Sequence, residues 1–382
     1  MRVFLATEFR CLVFKNDYYL PTRAYYIYER YAKAFGNIVL CSRFVPVEEK
    51  PFDCIKSDFI VQSVNCNSLE KCMMGVYKSQ MLKAMKTCEL VIGRFPSIIA
   101  FRAHDYSKQL GKPFLAELMC DGWDSYWNHG LIGKAIAPYM NYKMKKCTWN
   151  SDFAVYVTER YLQKKYPCKM PSINASNVVI KELDSHVLER RLEKIKNTDY
   201  HNISLMTSAS VDLHSKGQEY VVKAIGILKK KGINVKYYLA GDGDHEYLLK
   251  FARASQVEDN IVFLGRISFE KIFDQLDNVD IYIQPSLQEG LPRAVIEAMS
   301  RACPVMGART AGIPELMNDE CVFDRASASS IVEQLMIILQ KGLETYAINS
   351  YERSENYLDE TLCQRRNCYY EMIKQTITDH RV

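Results

Sequence analysis

The chain has 382 residues, 48% of them hydrophobic and 25% charged, the profile of a globular protein with enough core for two domains. No run approaches the eighteen apolar residues of a membrane-spanning helix, and the thirteen cysteines are scattered without paired Cys-x-x-Cys spacing. These features argue against a disulfide framework and a zinc site and predict reduced thiols in a cytoplasmic protein. The net charge of +5 splits into +9 for residues 1–185 and −4 for residues 186–382. The basic half suits an anionic partner. No nucleic-acid motif accompanies it, which leaves anionic membrane lipid, a lipid diphosphate, or plainly solvated lysines.

Val3-Phe-Leu-Ala-Thr7 reads as a buried strand rather than a leader, followed by a glycine-free loop from Glu8 to Tyr19. Tyr25–Phe35 is predicted as a helix, Asn37–Cys41 as a strand and Ser68–Thr87 as a helix. The strand Glu89–Gly93 ends at Arg94 and Pro96, a helix follows over Ile98–Leu110, and Lys112–Met119 is the next strand. Such alternation predicts an α/β fold with a parallel, doubly wound sheet. The loop Cys120–Gly130 then gathers Asp121, Asp124, Trp123, Trp127 and His129, a composition suited to sugar contact at the carboxyl end of a strand. Asp121 and Asp124 equally suit the capping of the next helix. Ile132–Cys147 sets Lys134, Lys143, Lys145 and Lys146 against Ile136, Tyr139, Met140 and Met144, the pattern of a basic amphipathic helix at a membrane or of an ordinary surface helix. A strand at Asp152–Thr158 and a helix at Glu159–Tyr166 close a first domain over residues 1–185. The charged stretch Glu189–Asp199 reads as the linker to a second domain over residues 200–358.

The second domain opens on the strand Ile203–Thr207, and its first loop ends in Lys216-Gly217 before the helix Gln218–Lys230. Val235–Ala240 runs into Gly241-Asp-Gly243. A third glycine and a following acid are missing, so this is not a dinucleotide fingerprint. Asn260–Leu264 ends at Gly265-Arg266-Ile267. The densest stretch is Ile281–Glu315. A strand ends at Pro285-Ser286, and Glu289-Gly290-Leu291-Pro292 turns into a helix over Arg293–Arg301 that carries Glu297. Cys303-Pro-Val-Met is another strand, and Thr310–Glu315 a loop. A helix N-terminus offers free amides and partial positive charge, which suit a diphosphate. Singly, Glu289 reads as a helix-start carboxylate and Glu297 as a solvated helix residue; together they can face one cleft.

The whole arrangement resembles the nucleotide-sugar signature of retaining GT-B glycosyltransferases, in particular family 4 of their sequence classification. Pro285-Ser286, Glu289-Gly290, Glu297-Ala298-Met299, Cys303-Pro304-Val305 and Gly312-Ile313-Pro314-Glu315-Leu316 stand in the family's order. The resemblance implies two Rossmann-like domains facing a cleft, with a terminal helix (about 360–382) crossing back to the first. It implies transfer of a sugar from a nucleotide diphosphate sugar, UDP- or GDP-linked, to a glycan or lipid-linked acceptor, with retention at the anomeric carbon. No cofactor and no metal are expected. Glu289 and Asp121 would lie at the reacting sugar, and Glu297 would bind the ribose hydroxyls. Lys216, Ser286, Gly290, Leu291 and Arg293 would surround the phosphates, with Gly265, Arg266 and Ile267 at the base. Two departures stand out: the family's first glycine-rich loop is replaced by Glu8–Tyr19, and the arginine that accompanies Lys216 in relatives falls on Val211. A nucleotide-sugar epimerase or hydrolase, or an inactive nucleotide-sugar-binding protein, would fit the same scaffold. Polysaccharide-building relatives work in the cytoplasm, at the inner face of the membrane, which makes peripheral membrane contact a further expectation.

Overall fold

The computed structural model describes residues 1–128 and 130–379. Two compact units emerge, Met1–Asn177 with Cys363–Val382, and Val178–Leu362.

In the first unit, β1 (Arg2–Phe14) is central. It pairs in parallel with β3 (Asn37–Pro46) on one side and β6 (Leu90–Phe95) on the other. Beyond β3 lies β5 (Ile60–Asn65), and beyond β6 lie β7 (Phe114–Leu118), β8 (Phe153–Tyr156) and β9 (Ser172–Asn174), all parallel. The expected loop after Thr7 is in fact strand. Leu12–Phe14 turns at Lys15 and Asn16, both at positive φ, into the antiparallel β2 (Asp17–Pro21), which carries β4 (Cys54–Lys56) on its far side. A two-residue turn with both central φ positive matches the twist of a hairpin, and asparagine tolerates that conformation. The register against β3 slips between Ala6 and Arg10, so Thr7, Glu8 and Phe9 form a bulge. The helix expected over Ser68–Thr87 is two, Leu69–Met73 and Lys78–Lys86, interrupted at Gly75 with φ 79°.

The charged stretch expected as a linker is the helix Val187–Lys196 within the second unit. Its Arg191 is buried and donates to the carbonyls of Leu276 and Val279 at 2.6 Å each, satisfying the open end of the helix Phe269–Asn278. The second sheet is wholly parallel. Its order is β12 (Ile261–Gly265), β11 (Asn234–Ala240), β10 (Asn202–Ser208), β13 (Ile281–Gln284), β14 (Val305–Ala308), β15 (Val322–Phe323), the 3-2-1-4-5-6 order of a doubly wound nucleotide-binding sheet. All four residues of β13 are buried, as in a strand covered on both faces. The last helix, Asp359–Asp379, begins in the second unit and continues in the first, where Tyr369 Oη accepts the Ala154 N–H at 3.1 Å and donates to the Pro171 carbonyl at 2.5 Å.

Candidate functional site

In the second sheet the order reverses between β10 and β13, and a ligand crevice lies outside the carboxyl ends of such neighbours. The loops leaving these two strands carry Lys216 and Glu289. They are joined directly, since the Leu287 N–H donates to the Ser215 carbonyl at 2.8 Å. Gly217 makes the approach feasible. Its φ is 70°, and a Cβ there would collide with the Pro285 carbonyl oxygen.

Lys216 Nζ then meets Glu289 Oε1 at 2.7 Å, with both side chains only partly exposed. Glu289 Oε1 also receives Gln284 Nε2 at 3.3 Å, and the same amide donates to Ser286 Oγ at 2.7 Å. Behind them the Tyr282 hydroxyl donates to Gln284 Oε1 at 2.7 Å and accepts the Ser208 N–H at 3.2 Å. Burial pushes the Tyr282 phenol well above its ordinary range, with Glu297 and Glu289 adding to the shift, so it remains a neutral donor. The loop Glu289–Pro292 is pinned from the other side, where Gly290 O accepts the Gly312 N–H at 2.9 Å.

Arg293 opens the helix Arg293–Ser300, and Glu297 stands one turn further along. Burial lowers the Arg293 pKa while Glu297 and Glu289 act against it, so the guanidinium and the two carboxylates share one locality. The structure therefore brings Lys216, Ser286, Glu289, Gly290, Leu291, Arg293 and Glu297 to the switch point. Gly265, Arg266 and Ile267 sit at the same end of the sheet, leaving β12 two strands away from β10. The Gly265 carbonyl is held by the Gly241 N–H at 2.9 Å. Val211 is a buried core residue, so the loop after β10 supplies a lysine where relatives have both a lysine and an arginine.

Asp121 belongs to the first unit and is placed differently from the expectation. Its side chain is fully buried, and both oxygens are engaged. Oδ1 accepts the Trp123 N–H at 2.8 Å and the Tyr166 hydroxyl at 2.7 Å, while Oδ2 accepts the Tyr161 hydroxyl at 2.5 Å and pairs with Lys165. A carboxylate so occupied anchors its loop; it does not present itself to a sugar. Asp124 is likewise buried, in the first turn of the short helix Asp124–Trp127. Trp123 and Trp127 stack with their ring centroids 4.9 Å apart. His129 lies outside the described residues.

Sequence reasoning missed the supporting residues. Gln284 and Tyr282 carry the Glu289 carboxylate, yet in the sequence they look like ordinary strand residues. In the first unit Arg94 and Glu117 form an ion pair of 2.8 Å, both nearly inaccessible to solvent. Their only signal is a charge in the middle of an apolar strand. Among the described residues, one His/Cys/carboxylate group draws together, His104, Asp105 and Cys147 in the first unit. There Lys143 Nζ already serves Asp105 at 2.8 Å.

Comparison with known proteins agrees with this geometry. Residues 202–341 match the family described as Glycosyl transferases group 1. Protein CapJ of Staphylococcus aureus is 28% identical over 371 residues, covering 94% of this chain and 90% of CapJ. The amylovoran biosynthesis glycosyltransferase AmsK of Erwinia amylovora is 34% identical over 131 residues, 32% of each chain. Sucrose-phosphate synthase of Thermosynechococcus elongatus superposes with a TM-score of 0.69 at 14% identity, over 98% of this chain and 100% of that one. HepE of Anabaena, solved in complex with UDP, gives 0.63 at 12% identity over 99% of both. The protein is thus a glycosyltransferase of the GT-B fold whose residues 202–341 are a Glycosyl transferases group 1 domain.

Proposed function

We propose that this chain moves a sugar from a nucleotide diphosphate sugar to a glycan or lipid-linked acceptor in polysaccharide or glycolipid biosynthesis, with retention at the anomeric carbon. The observation that carries the reading is the Lys216–Glu289 pair at the switch point of the second sheet, with Arg293 and Glu297 in the helix that follows. Lys216 and the amides near Gly290 and Leu291 neutralise the leaving diphosphate, aided by Arg293 and the helix dipole. This uses side-chain cations in the role a metal plays elsewhere, so transfer is expected to persist in chelator. Glu297 accepts from the ribose hydroxyls, and Glu289 sits at the donor sugar and its reacting face. UDP bound in HepE, and the part of AmsK in amylovoran biosynthesis, are the neighbouring chemistry that favours this donor and this kind of product.

The second proposed partner is an anionic membrane surface. Lys143, expected to contribute, is buried against Asp105. The exposed residues of the helix Gly130–Trp149 instead include Leu131, Ile132, Lys134, Tyr142, Lys145, Lys146 and Trp149, and the helix contains no carboxylate. Apolar and aromatic tips flanked by lysines suit an interfacial helix. The direct test of the transferase reading is calorimetry of UDP and GDP binding, followed by isotope-labelled transfer from the sugar form of the nucleotide that binds. If neither nucleotide binds, the reading fails.

A further inference from the structure

Strand β13 carries a chain of buried polar groups that a core strand does not need. Its residues alternate Ile281, Tyr282, Ile283, Gln284, and all four are buried, with Gln284 only 2% exposed. An apolar residue at position 284 would satisfy the core without the cost of burying an amide. Gln284 instead has partners on every side. The Ser208 N–H at the end of β10 donates to the Tyr282 hydroxyl at 3.2 Å, and that hydroxyl donates to Gln284 Oε1 at 2.7 Å. Gln284 Nε2 then divides its two protons between Ser286 Oγ at 2.7 Å and Glu289 Oε1 at 3.3 Å. A backbone N–H can only donate and a carboxylate can only accept, so the direction of the whole chain is fixed from both ends. The amide is thereby held with its nitrogen toward Glu289.

On Glu289, both contacts fall on the same oxygen. Oε1 accepts Lys216 Nζ at 2.7 Å and Gln284 Nε2 at 3.3 Å, while Oε2 has no hydrogen-bond partner among the described residues. Lys216 is the shorter of the two contacts and the one that a ligand can withdraw. A diphosphate carries more negative charge than a carboxylate, so the ammonium turns toward the phosphates when they arrive. The Gln284 amide is neutral and buried and stays with Glu289. Its 3.3 Å contact is long for an N–H···O bond and can shorten once the ammonium has left.

We propose that Gln284 is a positioning residue: it holds Glu289 Oε1 after Lys216 has passed to the diphosphate, and so keeps Oε2 turned to the donor sugar during transfer. Tyr282 acts one step behind, by preventing the amide from flipping. The inference rests on the transferase reading above and specifies what fixes its carboxylate in the loaded enzyme.

The test compares calorimetry of UDP and GDP with single-turnover release of the nucleotide that binds from its sugar form, in the full chain and its variants. Gln284→Met keeps the length of the side chain and removes the donor. It should slow release about ten-fold, as small misplacements of a reacting group do, and change the affinity for the free nucleotide less than two-fold. Tyr282→Phe should slow release several-fold. Joined with Glu289→Ala, Gln284→Met should slow release no further, because its effect passes through that carboxylate. Gln284→Met leaves the Tyr282 proton without an acceptor, and a thermal melt shows whether this loosens the fold. The pair Tyr282→Phe with Gln284→Met makes the strand wholly apolar, and it should melt near the unaltered chain yet remain slow. An unchanged rate in the paired variant, an equal loss in rate and nucleotide affinity, or a full further loss in the Glu289→Ala background overturns the positioning role. If the unaltered chain binds neither nucleotide, the transferase reading falls instead.

Discussion

Glu289 and Glu297 are carboxylates eight positions apart that are held in different ways. Glu289 is fixed by Lys216 and Gln284 in the loop, whereas Glu297 projects from the helix one turn beyond Arg293. Glu297→Ala is expected to weaken UDP itself by about 1.5–3 kcal/mol, the usual loss when a charged hydrogen-bond acceptor is removed. Glu289→Ala should chiefly lower the rate of transfer. Calorimetry with free UDP beside single-turnover rates separates the two, and equal losses in both measurements would refute the division. On the proposed reading, in which Lys216 serves the phosphates while Val211 lies in the core, Lys216→Ala should lose much more affinity for UDP than for uridine. A matched loss for both ligands would make Lys216 a structural residue. Asp121 is the opposite case, a carboxylate whose effect lies in stability. Burial acts to raise its pKa, but Lys165, Tyr161 and Tyr166 outweigh this and hold it below the ordinary 3.8. A depressed carboxyl contributes stability that is complete above its unfolded value and lost as pH falls through the folded one. Asp121→Asn should therefore cost roughly 3 kcal/mol at neutral pH, and the gap to the unaltered chain should narrow below about pH 4. Denaturant titrations at two pH values measure both.

Among the elements, the two loops at the β10–β13 switch point act as one piece, because the Leu287 N–H and the Gly217 turn lock them together. Gly217→Ala adds a Cβ in left-handed backbone and against the Pro285 carbonyl, so the loops must part. The expected result is a loss of about 1 kcal/mol or more in unfolding free energy, together with weaker UDP binding. Gly232→Ala is the control. It also has positive φ, 82°, but no atom lies within 4 Å of the added methyl. It should cost only backbone strain and leave nucleotide binding intact. If the two variants bind UDP equally well, the joined loops do not set the site.

At the scale of the whole molecule, charge divides between the units, a net +12 for residues 1–177 with 363–382 and −7 for residues 178–362. No helix among the described residues is long and apolar enough to cross a membrane. On the proposed reading, an anionic bilayer is met by the exposed residues of Gly130–Trp149. Each lysine near such a surface contributes about 1 kcal/mol, screened by salt over about 10 Å at 0.1 M. Replacing Lys134, Lys145 and Lys146 by glutamine should reduce co-sedimentation with anionic vesicles and leave the melting temperature unchanged. Lys143→Gln should lower the melting temperature instead, since it removes the partner of Asp105. Equal sedimentation with neutral and anionic vesicles would end the membrane proposal and leave the transferase assignment standing.

What the sequence determined by itself was whatever local chemistry specifies. Alternating apolar runs and helix starts marked the parallel sheets, and the ordered pieces from Pro285 to Leu316 marked the donor-side loop, because those residues are neighbours in the chain. Lys216 and Glu289 were both legible as site residues, but their ion pair was not, since 73 positions separate them and only the strand order of the second sheet brings their loops together. The same limit explains Asp121. Its loop looked like a sugar contact, and three side chains forty or more residues away turned it into an anchor. The β1 hairpin is hidden in the sequence because Glu8 and Arg10 interrupt the apolar run that marks the strand. Arg94, Glu117 and Glu8 acquire meaning only from the tertiary fold, which buries one charge beside another and places the third on a helix end.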